Sequence, residues 1–410
     1  MSGMVCYDDA RARLFEPFAL TRPVGELRAG AELIRARWES ALGVPCAGHL
    51  AAPHLAGFAE PWAPPVLANA RLAAGTIVAN SRFAPSLARL VGDADAWSCR
   101  GTIVAVRLRD GTPSARFADG TLALDALVAA GAVVHEVQGR WLGAVWDLIG
   151  QLAAMLDEDI PIIAEQLLEG PPPAHATVIG THPVHLEAGA QVEPYVVLDV
   201  TAGPILLRKG ATVQSFTRLV GPAVIGAGST VVGDRIACVS VGELCKVHGE
   251  VSTSIFLGHS NKGHDGFVGH SVLGRWVNLG ASTVTSNLKN TYGTVALWTP
   301  EGIRDSGLQF LGTLFGDHVK TGIGLRLTTG CVLGAGANVY DAMPPKAVPP
   351  FAWGGGAPYA TYALDKFLAV AERMMGRRHV ELGASARDQL AAAHALAGNE
   401  STAARWAATT

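Results

Sequence analysis

Between residues 176 and 343 the apolar positions of the chain return at every sixth residue. Leu207, Val213, Leu219, Ile225 and Val231 keep this register; Phe267, Leu273 and Leu279 repeat it, and Phe315, Thr321, Leu327, Leu333 and Val339 hold it again. A helix brings apolar side chains round every 3.6 residues and a half-buried strand every two, so neither element explains a period of six. A hexapeptide repeat is the signature of a parallel β-helix, in which three short strands and their corners make one coil. Each coil buries its inward residue against the coils on either side. IGAGSTV (225–231) and LGAGANV (333–339) show the texture most clearly, with glycine at the corners. An irregular glycine-rich sandwich would leave the period without a cause.

The flanking segments have other periods. GAELIRARWESAL (30–42) spaces Leu33, Ile34, Trp38 and Leu42 as an amphipathic helix, and GTIVAVRL (101–108) reads as a strand. Residues 146–168 read as a helix interrupted near Pro161, and the three prolines of EGPPPAH (169–175) mark a boundary. The pattern therefore predicts an α/β domain over 1–170, a left-handed β-helix over 176–343 and a helical tail over 357–397. Within the β-helix, residues 286–312 break the repeat and are expected as a loop ejected from the coils. In the tail, Leu364, Phe367, Leu368 and Ala371 would pack on or cap the stack.

Composition narrows the function. The 410 residues include 48 glycines, and charged residues make up only 16%. Disordered chains are highly charged and poor in aliphatics, and collagen places glycine at every third residue; this chain does neither. A formal net charge of -3 gives no electrostatic reason to expect nucleic acid or an anionic membrane as partner. No run of 18 apolar residues occurs, and Asp8 and Asp9 stand where a secretory leader would be basic and then apolar. The cysteines, at 6, 46, 99, 238, 245 and 331, form no Cys-x-x-Cys pair and fit reduced thiols. A cytoplasmic protein is expected.

Histidine reports most sharply on chemistry near neutral pH. His259, His264 and His270 cluster in GHSNKGHDGFVGHSVLG (258–274), with Lys262 and Asp265 among them and Asn261, Asn278 and Asn287 nearby. Equivalent positions of successive coils stack in rows, so a base, a cation and amide donors can converge on one groove. Two chemistries compete. In one, His264 is a general base for an amine attacking a thioester, Lys262 binds a substrate phosphate and Asn287 orients substrate or acyl donor. In the other, His259 and His264 belong to a zinc site that activates water, with His248 or His185 as the upstream ligand.

LGHSNKGHDGFVGHSVLGRWVNLGASTVTSNL (257–288) resembles the acetyltransferase segment of the GlmU family, enzymes that join an N-acetylglucosamine-1-phosphate uridylyltransferase to a glucosamine-1-phosphate N-acetyltransferase. The family's Ser-Lys-x-Gly-His run corresponds to residues 260–264, its Val-Asn-Ile-Gly-Ala-Gly-Thr to 277–283, and its closing Asn to Asn287. The resemblance implies His264 as catalytic base, Lys262, Asn261, Asn278 and Phe267 on the substrate side, and Asn287 and Ala281 on the acyl-donor side. Lys320 and Arg326 are further candidates for the donor's phosphates. Phe267 replaces the family's tyrosine and Leu288 the tyrosine after the closing asparagine, and the loop after 287 is longer. A divergent branch of the family, known as sugar nucleotidyltransferases, carries similar SNK-x-HDGF, SNLKN-x-Y and GDH-x-K-x-G runs, here at 260–267, 286–292 and 316–322.

The N-terminus is less regular. Nucleotidyltransferases of this family open with a strand and a glycine-rich turn that cradles the triphosphate. Here VCYDDARARLFEPFALTRPVGELRAG (5–30) has no glycine before Gly25, so Arg11, Arg13 and Arg22 are candidates to replace backbone donors and Asp8 or Asp9 to hold a metal. Alternatively these are ordinary charges at a strand end. The sequence thus predicts acetyl transfer from acetyl-CoA to a sugar phosphate such as glucosamine 1-phosphate, in a homotrimer. No metal is expected at that site. Coupled nucleotidyl transfer from UTP would require magnesium. The alternative is a sugar-nucleotide-binding or regulatory scaffold that has lost one or both activities.

Overall fold

The computed structural model describes residues 3–407. The chain forms two compact units, one holding the residues up to Val145 together with Leu382–Leu396, the other holding Trp146–Glu381 and the residues from Ala397 on.

The first unit is built on a six-stranded mixed sheet. Its strands are β1 (Met4–Tyr7), β2 (Cys46–Leu50), β3 (Ile77–Asn80), β4 (Ala96–Cys99), β5 (Thr102–Arg107) and β6 (Val134–Glu136), in the order β6-β4-β5-β3-β1-β2. β1 lies inside the sheet, next to the edge strand β2, and is parallel to both neighbours, whereas β5 runs antiparallel to β3 and β4. All four residues of β1 are buried, as a strand covered on both faces requires. Helix α1 (Ile34–Leu42) buries Ile34, Arg37, Trp38 and Ala41, one stripe at helical spacing, and ends at Gly43 with φ 62°.

The second unit is a parallel β-solenoid of about 10 turns, the left-handed β-helix expected from the six-residue period. Its core is a column of aliphatic side chains running from Leu186 through Val213, Leu219, Ile225 and Val231 to Leu333, Val339 and Ala352. Parallel pairing continues past residue 343: Ala347–Val348 pairs with Val332–Leu333, and Trp353–Gly354 with Asn338–Val339. One departure from the expected register falls at Phe267. The inward position belongs to Val268, fully buried, and Phe267 is only half-buried, because Val268 and Leu273 stand five residues apart rather than six.

One corner of the solenoid recurs in the left-handed backbone region on successive coils. Early coils place Gly210 and Gly228 there, with φ near 71° and 65°; later coils place Leu244, His259, Trp276, His318, Gly336 and Phe351, with φ between 53° and 72°. A side chain at such a position costs about 1–2 kcal/mol. The cost is offset by packing, since His259, Trp276, His318 and Phe351 are all buried and helix α3 (Leu364–Gly376) lies against this ladder. Phe367 of α3 meets His318 and Phe351 edge-on, with ring centroids 5.6 and 5.0 Å apart. Phe367, Ala371 and Met375, one helical face, are buried.

Residues 286–312 carry an antiparallel hairpin, Ala296–Thr299 with Gly302–Asp305. Trp298 of this hairpin stacks on Trp406 and donates its indole N–H to the Arg405 carbonyl at 3.0 Å. Helix α2 (Leu152–Ala164) contains Pro161 and packs its apolar face on the solenoid strands Thr217–Ile225 and Asp234–Val241. Helix α4 (Ala384–Ala397) completes the tail. Among the described residues, no helix is long and apolar enough to cross a membrane.

Candidate functional site

A polar row runs along one solenoid face. Lys246 pairs with Asn261, Asn261 with Asn278, and Asn278 with Lys320, so two cations flank two amides on consecutive coils. The Asn261 amide donates to Oδ1 of Asn278 at 2.8 Å, which fixes both side chains. The neighbouring position on the same strands points inward and is valine at 192, 213, 231 and 247.

Lys262 occupies that inward position on the next coil, 1% exposed. Its ammonium is held by backbone carbonyls, donating to His248 O at 2.8 Å and to His264 O. Burial pushes its pKa down to about 8, because the charged form loses hydration. The lysine therefore ties the corner that carries His264 to the coil before it.

His264 is exposed on a pocket of about 280 Å³ that Lys246, Asn261 and Asn278 also line. Residues of α3 and just after it, Met374, Arg377 and Arg378, line it as well. An imidazole facing solvent beside ordered amides, in a pocket lined by three cationic side chains and no carboxylate, suits proton transfer on an anionic ligand. Lys246, Arg377 and Arg378 do not stand out in the sequence motifs. The coil length gives a signal for Lys246, which precedes Asn261 by one coil; nothing local gives one for the arginines.

His259 lines the same pocket but is buried, and its Nδ1 lies 3.0 Å from an Arg275 guanidinium nitrogen. Arg275 is itself paired with Glu243 at 2.5 Å. A cation so close to Nδ1 opposes a second cation there, which counts against His259 as a zinc ligand. Among the described residues, the potential metal ligands that come together are instead Asp234, His248 and Asp265.

Asn287 stands elsewhere, donating its amide to Nδ1 of His270 at 2.9 Å. Burial lowers the His270 pKa to about 4, so its ring is neutral at pH 7, consistent with an accepting Nδ1. The His270 ring stacks on Phe310, with centroids 5.2 Å apart, and Phe267 lies close by across Gly269. Ala281 and Arg326 lie on further rows of the solenoid: the Ala281 carbonyl accepts from Gly324, and Arg326 is exposed beside Val284. The Lys320 ammonium donates to His318 O at 3.2 Å, and burial lowers its pKa to about 8. The structure thus brings His264, Asn261 and Asn278 together on one pocket and groups Asn287 with Phe267 at another corner.

The polar residues named in the N-terminal segment are all engaged within their own unit. Arg13 donates to the carbonyls of Asp8, Phe117 and Ala118, and Arg11 to that of Gly143. Arg22, fully buried, makes a two-pronged ion pair with Glu60 at 2.8 and 3.1 Å. Asp9 accepts from Arg82 at 2.7 Å, Asn80 at 2.9 Å and the Ala12 amide at 2.8 Å. Burial alone would raise its pKa, but these donors hold it below the ordinary carboxylate range. Asp8 is buried, and burial raises its pKa.

Residues 4–167 match the model of a sugar nucleotidyl transferase family. A stretch of 91 residues is 35% identical to a bifunctional sugar-1-phosphate nucleotidylyltransferase/acetyltransferase of Sulfurisphaera tokodaii, covering 22% of this chain and 23% of that protein. Stretches of 90 and 92 residues are 31% and 33% identical to the bifunctional GlmU proteins of Methanococcus vannielii and Methanocaldococcus jannaschii, covering 22% and 21% of this chain and 22% of each relative. The matched stretches thus span less than a quarter of these relatives' length. With residues 4–167 matching the sugar nucleotidyl transferase family and a β-helix after them, the chain resembles the GlmU-type bifunctional proteins.

Proposed function

We propose that the solenoid transfers an acetyl group from acetyl-CoA to the amine of a sugar phosphate, with glucosamine 1-phosphate as the preferred acceptor. The observation that carries this reading is His264, exposed on a cationic pocket beside the Asn261–Asn278 amide pair. The His264 imidazole takes a proton from the acceptor amine as the nitrogen attacks the thioester carbonyl. The tetrahedral adduct then expels the coenzyme A thiolate, and the proton passes from the imidazolium to that sulfur, leaving an amide and a free thiol. Asn261 and Asn278 hold the acceptor's hydroxyls, and Lys262 holds the His264 corner in place. Acetyl-CoA lies along the groove between adjacent solenoids of a homotrimer.

At the N-terminal unit, the family match supports recognition of a sugar 1-phosphate and a nucleotide such as UTP. Asp9 does not fit a magnesium ion, because Arg82, Asn80 and the Ala12 amide take up its carboxylate. This favours a second reading for that unit, binding of a sugar nucleotide without nucleotidyl transfer. Both readings are tested by product analysis. Acetyl-CoA with glucosamine 1-phosphate is expected to give N-acetylglucosamine 1-phosphate by mass spectrometry; its absence overturns the acetyltransferase reading. UTP, magnesium and N-acetylglucosamine 1-phosphate releasing pyrophosphate would overturn the binding-only reading.

A further inference from the structure

The pocket's cationic wall comes from the C-terminal tail. Helix α3 has 13 residues and is anchored at its start by Phe367 against His318 and Phe351. From Phe367 to Arg377 a helix advances about 15 Å, at about 1.5 Å per residue. Solenoid coils are spaced at about 4.8 Å, so this length covers about three coils. Running back from the coils of His318 and Phe351, the helix end reaches those of Lys246 and Asn261, where Arg377 and Arg378 line the same pocket as His264.

Two observations separate these arginines from ordinary charges at a helix end. Arg378 is half-buried, and its Nε is buried without a hydrogen-bond partner in the protein. Both arginines and Lys246 line one pocket in which no carboxylate takes part. Three uncompensated cations facing a shared space repel one another, and a ligand carrying two negative charges removes that repulsion. Lys262, the cation that the motif suggests for this task, is buried and turned to carbonyls.

We propose that Arg377, Arg378 and Lys246 form a phosphate clamp that binds the monoester of the sugar acceptor, so that the tail completes the acceptor site. This rests on the acetyltransferase reading. The choice between acceptor and donor phosphates follows from size: pockets for drug-sized ligands span about 300–1,000 Å³, and at about 280 Å³ this one takes the smaller molecule. The clamp predicts that a non-phosphorylated amino sugar is a poor acceptor.

The test uses the full chain and two readouts. Titration calorimetry with glucosamine 1-phosphate, in the absence of acetyl-CoA, is expected to show saturable binding that inorganic phosphate competes away and free glucosamine does not. R377Q/R378Q is expected to weaken this binding at least tenfold, with R377K/R378K intermediate. In steady-state kinetics the double variant raises KM for glucosamine 1-phosphate at least tenfold and leaves KM for acetyl-CoA within twofold. Should the double variant fail to fold, the single variants R377Q and R378Q carry the same comparison. Unchanged glucosamine 1-phosphate affinity in a folded variant overturns the clamp, and a rise confined to the KM of acetyl-CoA overturns its assignment to the acceptor. If wild type binds glucosamine 1-phosphate in an arginine-dependent way but transfers no acetyl group, the clamp stands and the acetyltransferase reading falls.

Discussion

Replacing Lys262 by methionine removes a buried charge from a row of valines and releases the corner that carries His264. The folded protein holds the Lys262 pKa near 8 against an ordinary value of 10.5, which at about 1.4 kcal/mol per pH unit corresponds to about 3 kcal/mol. The sign follows from proton linkage. Between pH 8 and 10.5 the unfolded chain binds the proton and the folded chain does not, so stability rises with pH across this window. Below pH 8 both states are charged and the full cost of burying the ammonium is borne. At pH 7.5 K262M escapes that cost but leaves the carbonyls of His248 and His264 without their donor, at about 1–3 kcal/mol each, so the two effects nearly cancel. Urea denaturation followed by tryptophan fluorescence at pH 7.5 and 10 is the assay. Wild type should gain about 2–3 kcal/mol more than K262M over that interval. Turnover of the variant should fall by on the order of a hundredfold, through misplacement of His264, with little change in KM for the sugar phosphate. Parallel pH dependences in the two proteins would refute the buried-charge argument, and a large rise in KM with unchanged turnover would return Lys262 to the role of phosphate contact.

Other expectations concern the frame around the site. Trp276→Gly relieves a left-handed backbone worth about 1–2 kcal/mol but deletes a buried ring worth about 3–5 kcal/mol, so the solenoid should lose about 2–3 kcal/mol in denaturation experiments. Arg22→Ala strands Glu60 in a nearly buried environment and should destabilise the first unit by about 3–5 kcal/mol, read as a lower unfolding midpoint; a folded variant with weakened nucleotide affinity would instead assign Arg22 to a phosphate. Asn278→Ala removes the acceptor of the Asn261 amide and should lower kcat/KM for the sugar acceptor about tenfold, the effect of losing roughly one hydrogen bond.

The solenoid was legible because its period has one geometric origin. Each coil buries the same few positions, and a column such as Val213, Leu219, Ile225 and Val231 shows directly in the order of residues. The register failed at Phe267 because the step from Val268 to Leu273 is five residues rather than six, a shortening that leaves no mark on composition. The meeting of His264, Asn261 and Asn278 on one pocket was legible through their motif. The inward turn of Lys262 was not, since the residue type suggests a phosphate contact while its parity within the coil points it to the core. Arg377 and Arg378 were illegible for another reason: they lie more than a hundred residues from His264, and their arrival depends on the path of a helix anchored by Phe367. In the N-terminal segment Arg13, Arg22 and Asp9 have the composition of a phosphate and metal site, yet partners distant in sequence, Phe117, Glu60 and Arg82, take them up.

The central claim, that His264 is the base of an acyl transfer, is tested most directly by free thiol release from acetyl-CoA with glucosamine 1-phosphate as acceptor. Wild type should release thiol in proportion to enzyme and acceptor, and His264→Ala, folded by circular dichroism, should lose on the order of 10²–10⁴-fold of that rate. Equal release by the two proteins would contradict the account.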